Sequence, residues 1–173
     1  MGEGTAGRGL GWEASIPVRI RAVEEPGDQD FQRGINIRLL RVLTAPEDSA
    51  SGDEADDRVR HRLEAKVDLL LVTMAQQAWS SVGRQEVVLS RDGIRVEIGE
   101  SNARGEVRDI ELWLAAEQPQ PLYLRGLISG EPDAQGRDFL AFEGLSEEES
   151  ELLERFLFQQ HRRAVAAARR RQG

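Results

Sequence analysis

The sequence predicts an α+β fold: a small antiparallel β-barrel closed by a C-terminal helix, with two long helices ahead of most of its strands. Three observations carry this expectation. Between residues 81 and 145, apolar and polar residues alternate over five short segments separated by turn residues. Between residues 55 and 80, apolar residues recur in steps of four, three and four, which is helical spacing. Ser146-Glu147-Glu148-Glu149 then forms a capping box that opens a last helix.

Composition narrows the class of molecule. The 173 residues, 39% hydrophobic and 31% charged, suit one domain or a small domain carrying an extension. No apolar run reaches the roughly 18–20 residues of a membrane span. Met1-Gly2-Glu3-Gly4 lacks the basic start and apolar core of a secretion signal, so a cytoplasmic location is expected. There are no cysteines, and His61 and His161 stand far apart without ligand-spaced neighbours, so no metal site is expected. A net charge of −8 argues against nucleic acid as a general partner. Arginine is used 22 times and lysine once, at Lys66.

Taken in order, residues 1–14 are glycine-rich and read as a loose arm. Residues 15–23 read as a short strand, which Pro17 pushes to a sheet edge. From Asp28 or Gln29 to Leu43, Phe31, Ile35, Leu39, Leu40, Val42 and Leu43 fall at helical spacing, with Gly34 weakening the first turn. Residues 44–57 hold six acids, a proline and a glycine, and read as a solvated acidic loop. The second helix follows at about 55–80. Its seam is Leu63, Val67, Leu70 and Met74, broadened by Leu71, Ala75 and Ala78 and bounded by Arg60 and Gln77. Such a seam serves either an internal core or an assembly interface. Two long helices cannot both bury apolar faces on one small sheet, which favours assembly. The organisation expected is therefore an arm over 1–29, a helical oligomerisation region over 30–80, and a barrel with its helix over 81–173.

Five strands are expected in the second half: Glu86–Ser90, Ile94–Ile98, Val107–Ala115, Leu122–Ser129 and Asp138–Glu143. Arg91-Asp92-Gly93 is a tight hairpin turn, and residues 130–136 form a longer one. In the last helix Leu152, Leu153, Phe156 and Leu157 make the apolar face. Acids crowd its start and Arg162, Arg163 and Arg169–Arg171 crowd its end, as the helix dipole prefers. Trp79 and Trp113 read as packing residues, while Trp12 is an aromatic with somewhere to dock. His161 helps finish the last helix.

No catalytic constellation emerges. No serine sits in a Gly-x-Ser-x-Gly elbow, no phosphate-binding Gly-x-x-x-x-Gly-Lys loop exists, and the acidic clusters lie at a helix start and in a loop. The chain reads as a non-enzyme without a cofactor.

Val88-Leu89-Ser90-Arg91-Asp92-Gly93 resembles the centre of the PilZ domain, a six-stranded barrel with a terminal helix known for binding cyclic di-GMP. The family's ligand signature is Asp/Asn-x-Ser-x-x-Gly with an Arg-x-x-x-Arg upstream. The acid or amide and the serine bond the guanine, and the two guanidiniums clamp phosphate. Ser90 and Gly93 match, and Val88 replaces the acid or amide. Arg58 and Arg62 have the arginine spacing. About three such pairs are expected by chance among 22 arginines in 173 residues, and three occur.

The atypical, tetramer-forming branch of that family is similar over more of the chain, about residues 30–168. The match runs through Ile37-Arg38-Leu39-Leu40-Arg41, His61 to Val72, Val88 to Gly93, Gln118-Pro119-Gln120-Pro121-Leu122 and Phe156 to Arg163. The resemblance implies a PilZ barrel whose extra helices assemble as a coiled coil into a homotetramer through Leu63, Val67, Leu70 and Met74. It also implies loss of the standard cyclic di-GMP residues and action through regulatory protein partners in motility, type IV pili or virulence. The alternative is a true cyclic di-GMP receptor that uses other arginines, among them Arg58, Arg62, Arg162 and Arg163.

Overall fold

In the computed structural model, the described residues are 11–23, 29–45, 54–98 and 104–171. The expected acidic loop falls mostly on residues 46–53 and the tip of the expected arm on residues 1–10, outside the described residues.

Six strands close into an antiparallel barrel in the order β1-β2-β3-β6-β5-β4. They are β1 (Trp12–Ala22), β2 (Arg84–Leu89), β3 (Gly93–Val96), β4 (Val107–Leu112), β5 (Leu122–Ser129) and β6 (Asp138–Glu143). Helices α1 (Gln29–Thr44) and α2 (Glu54–Trp79) are inserted between β1 and β2, and α3 (Glu147–Arg171) ends the chain. The barrel alternates as expected. Val87, Leu89, Ile94, Val96, Ile110, Leu112, Leu122, Leu124, Ile128 and Leu140 point inward and are buried.

The N-terminal expectation is corrected in two respects. Trp12, Glu13 and Ala14 belong to β1 and not to an arm, and β1 is no edge strand. Trp12 to Pro17 pair with β2, and Val18 to Ala22 pair with β4. Pro17 stands where the hydrogen bonding passes from one neighbour to the other. Its carbonyl accepts from Trp113 N at 3.2 Å, and Val18 N donates to Gly83 O at 3.3 Å. Proline lacks a donor, and at this junction none is required. Without β1 the barrel would be open, so the barrel unit draws on both ends of the chain.

The helical region also divides differently from the expectation. Helix α1 packs on α3 and β5, burying Leu39 and Leu40 in the barrel's own core. Asn36, equally buried, lies on the same face. Its amide donates to Tyr123 O at 2.7 Å, and its Oδ1 accepts from Tyr123 N at 2.8 Å. Asn36 thereby satisfies the β5 backbone beyond the reach of β6, which pairs with β5 only from Arg125 onward.

Helix α3 starts from the expected capping box. Ser146 N donates to Glu149 Oε2 at 2.9 Å, and Glu149 N donates to Ser146 Oγ at 3.2 Å. Leu153, Phe156 and Leu157 close one side of the core, and Trp12 meets Phe156 edge-on at 5.3 Å. Strand β4 ends at Leu112, earlier than the sequence pattern suggests. Trp113 turns away there and donates its indole N–H to Pro119 O at 3.2 Å.

Helix α2 is the exception to this packing. No other described element packs extensively along it, and Ala75 is its one buried side chain among the described residues.

Candidate functional site

The motif residues Val88, Ser90 and Gly93 meet on the β2–β3 hairpin. Val87 and Leu89 point into the core, so Val88 points outward, in register with Glu13 on β1 and Arg95 on β3. Backbone N and Oγ of Ser90 both donate to Gly93 O at 2.9 Å, so the hydroxyl closes the turn. Gly93 answers to packing: a Cβ there would lie 2.4 Å from Leu140 O and 2.6 Å from the Phe139 ring. Arg95 spreads over Phe139 at 5.2 Å. Arg91 is tied to α3, donating to Ser150 Oγ at 3.1 Å and pairing with Glu154 at 3.0 Å. Ser90 and Arg91 thus each have a structural task within the chain.

The expected arginines lie elsewhere. The side chain of Arg58 is outside the described residues, and Arg62 is exposed on α2. Seventeen residues separate Arg62 from Trp79, roughly 25 Å along the helix axis from the end that joins the barrel. Arg162 and Arg163 lie on the exposed stretch of α3 past Leu157. Arg162 stacks over Phe158 at 5.9 Å. It stands eight residues, roughly 12 Å, beyond Glu154, which holds the hairpin. The fold therefore joins Ser90 with Gly93 and leaves both arginine pairs away from them.

The seam on α2 is exposed over its full length: Leu63 62%, Val67 45%, Leu70 63% and Met74 55%. Leu69, on the other flank of the helix, is 68% exposed. Between Val67 and Ala75 only Asp68 and Thr73 are polar, so apolar side chains surround this stretch. A helix in water with apolar residues on two flanks is a surface suited to burial.

A second feature carries no motif in the sequence. A cavity of about 230 Å³ lies between α1, β5 and the start of α3, lined by Arg33, Asn36, Tyr123, Arg125 and Glu149 among others. Glu149 is buried. Its Oε1 accepts from Asn36 at 2.9 Å, its Oε2 accepts from Ser146, and Arg33 Nε lies 3.4 Å away. Arg125 is paired with Asp109 at 2.9 Å. Burial raises the pKa of the Tyr123 phenol above its ordinary value; Glu111 adds to the shift and Arg19 offsets part of it. The readable signal was Asn36, a polar residue on the helix face that carries Leu39 and Leu40. The acids and arginines here largely satisfy one another, so the cavity reads as a polar joint between α1, β5 and α3.

Among the described residues, no group of three or more His, Asp or Glu is placed to hold a metal ion. No described helix is long and apolar enough to cross a membrane.

A closed six-stranded antiparallel barrel, capped by a C-terminal helix and carrying a Ser-x-x-Gly hairpin, defines a PilZ-type domain. The family model described as "Atypical PilZ domain, cyclic di-GMP receptor" matches residues 40–170. The chain belongs to this atypical PilZ family, a family of receptors and not of enzymes. Among solved structures, a pathogenic protein from Xanthomonas campestris is similar over 92% of each chain, with a TM-score of 0.69 and 22% identity. It is described as a tetrameric PilZ domain self-assembled via an unusual helical bundle. No curated protein matches the chain.

Proposed function

We propose that this chain is a self-assembling signalling adaptor in cyclic di-GMP-linked regulation, working in the cytoplasm through protein partners. The observation that carries the reading is the exposed apolar surface of α2. Leu63, Val67, Leu70 and Met74 form one stripe, and Ala65, Leu69 and Val72 form a second on the far flank. One partner helix covers one stripe. Two stripes call for a bundle of more than two helices, and a homotetramer built on four copies of α2 satisfies both. The helical bundle of the Xanthomonas campestris tetramer supports the same reading. The seam residues are then the oligomer interface.

The hairpin supports an adaptor more than a conventional receptor. Val88 offers no hydrogen bond to a guanine edge, and the Ser90 hydroxyl is already engaged. Motility, type IV pili and virulence are the processes that a degenerate member of this family would serve.

A second reading is favoured by the family's description as a cyclic di-GMP receptor: binding at non-standard arginines. Arg162, Arg163 and Arg169–Arg171 follow Glu154 in a stretch rich in arginine and are the natural candidates, with Arg62 and Arg58 next.

Sedimentation at micromolar concentration and calorimetric titration with cyclic di-GMP test both readings. The adaptor predicts a tetramer and no heat at low or physiological salt. A monomer sinks the assembly. Saturable binding that survives salt makes the chain a receptor, because weak attraction to a basic tail alone is screened.

A further inference from the structure

Helix α3 outlasts its packing. Leu157 is its last core residue, and Gln159 donates its side-chain N–H to Thr44 O at 3.2 Å, which ties the helix to the end of α1. From His161 to Arg171 every residue is exposed, a stretch of roughly 16 Å that leaves the barrel behind. We infer that this arm is a membrane-surface contact, which lies in the headgroup layer of an anionic phospholipid leaflet.

Charge sets the direction of approach. From Arg155 to Gly173 the sequence holds six arginines and no acid, while the first 154 residues carry a net charge of −14. Glu147, Glu148, Glu151 and Glu154 stand at the barrel end of the same helix. A layer of phosphates therefore repels the body of the chain and attracts the arm.

The side chains among the arginines set the depth. Phe158 and Val165 share one stripe with Arg162 and Arg169, in steps of four, three and four. Phe158 is 54% exposed and Val165 37%, and the Arg162 guanidinium lies over the Phe158 ring. Apolar bodies and cationic tips thus face the same way. In a headgroup layer the ring and the valine reach the acyl boundary, the arginine stems follow, and the guanidiniums stay at phosphate level.

Arg170 stands about a third of a turn round from that stripe, and Arg171 lies beyond it. An acidic helix of a protein partner covers one face and leaves these two in water. Headgroups that surround the helix to its sides meet both. Ala164 and Ala166–Ala168, between the charges, give a protein pocket little to grip. Each chain carries one arm, so the contact stands without the self-association proposed above, which multiplies it.

Cosedimentation with vesicles tests the contact on the full chain. The chain should pellet with phosphatidylcholine vesicles containing about one third phosphatidylglycerol, and remain in solution with phosphatidylcholine alone. Physiological salt should weaken the binding. An arginine near an anionic surface is worth about fivefold in partition, so Arg169→Gln with Arg170→Gln and Arg171→Gln should lower it about 100-fold. Phe158→Ala should lower it about three- to fivefold. None of these residues belongs to the core, so thermal unfolding of both variants should match the wild type.

No vesicle binding at low salt overturns the proposal, and so does equal binding to neutral vesicles or full binding by either variant. Binding of a fluorescent octaglutamate peptide without vesicle binding also overturns it, and assigns the arm to an acidic protein. A chain that sediments as a monomer on its own, yet binds the anionic vesicles, upholds the lipid contact and refutes the self-association instead.

Discussion

Truncating the α2 seam separates assembly from folding. Leu63 and Leu70 are 62% and 63% exposed in the single chain, so more than half of each side chain is available to a partner. Full burial of a leucine contributes about 1.5–3 kcal/mol, so each retains about 1–2 kcal/mol for the bundle. Leu63→Ala with Leu70→Ala therefore costs about 2–4 kcal/mol per chain, roughly a 30- to 1,000-fold loss of association. The barrel core is untouched, because neither residue belongs to it. Helix α2 itself responds. It supplies 26 of the 67 helical residues among the described ones, and it has little tertiary packing within its own chain. A helix with so little support is marginal in water. Dissociation thus frays α2, and the far-ultraviolet helical signal falls while the tertiary signal of Trp113 persists. Sedimentation velocity and circular dichroism on the same samples read both effects. A variant that keeps wild-type sedimentation and helicity refutes the seam as the interface.

Four other outcomes are expected. Glu149→Ala removes the acceptor shared by Ser146, Asn36 and Arg33 and costs about 2–4 kcal/mol, since Arg33 is partly solvated; thermal unfolding should fall by about 5–15 °C. Gly93→Ala drives a Cβ into Leu140 O and should prevent soluble expression or lower stability by more than 3 kcal/mol, whereas Gly83→Ala meets open space and should be well tolerated. Val88→Asp sets a carboxylate in register with Arg95, so calorimetry should still record no cyclic di-GMP heat; binding gained by this variant alone would trace the loss to one position. Asp133 accepts the backbone N–H of Arg137 at 3.0 Å, and this bond, with others to Arg137 and Gln135, holds its pKa below the ordinary carboxylate value. A depressed carboxylate stabilises the fold above its unfolded pKa, so the Asp133 contribution should fade as pH drops through its folded pKa. Asp133→Asn should flatten that part of the acid unfolding curve.

Much of the fold was legible because local signals agreed with the tertiary outcome. The strands Leu122–Ser129 and Asp138–Glu143 have the expected bounds, and the Ser146–Glu149 box starts α3 as its hydrogen-bond chemistry requires. Where the reading failed, long-range pairing had outweighed local chemistry. Pro17 signals an edge, yet β1 passes from β2 to β4 at that residue, so a ring lacking a donor sits inside a closed barrel. Trp12 lies in a glycine-rich stretch, but the Phe156 ring and the β2 backbone hold it in a strand.

The candidate site divides in the same way. The order of residues alone sets the α2 seam, because a heptad is local and Leu63, Val67, Leu70 and Met74 keep their spacing wherever the helix lies. It also determined the absence of an acid or amide at Val88. Long-range packing settled that α1 buries its apolar face against the barrel while α2 leaves its own in solvent. It likewise decided that Ser90 and Arg91 are engaged within the chain, and that Glu149 meets Asn36 and Arg33 from more than a hundred residues away. Periodicity states which face of a helix is apolar. What covers that face depends on where a closed barrel leaves room.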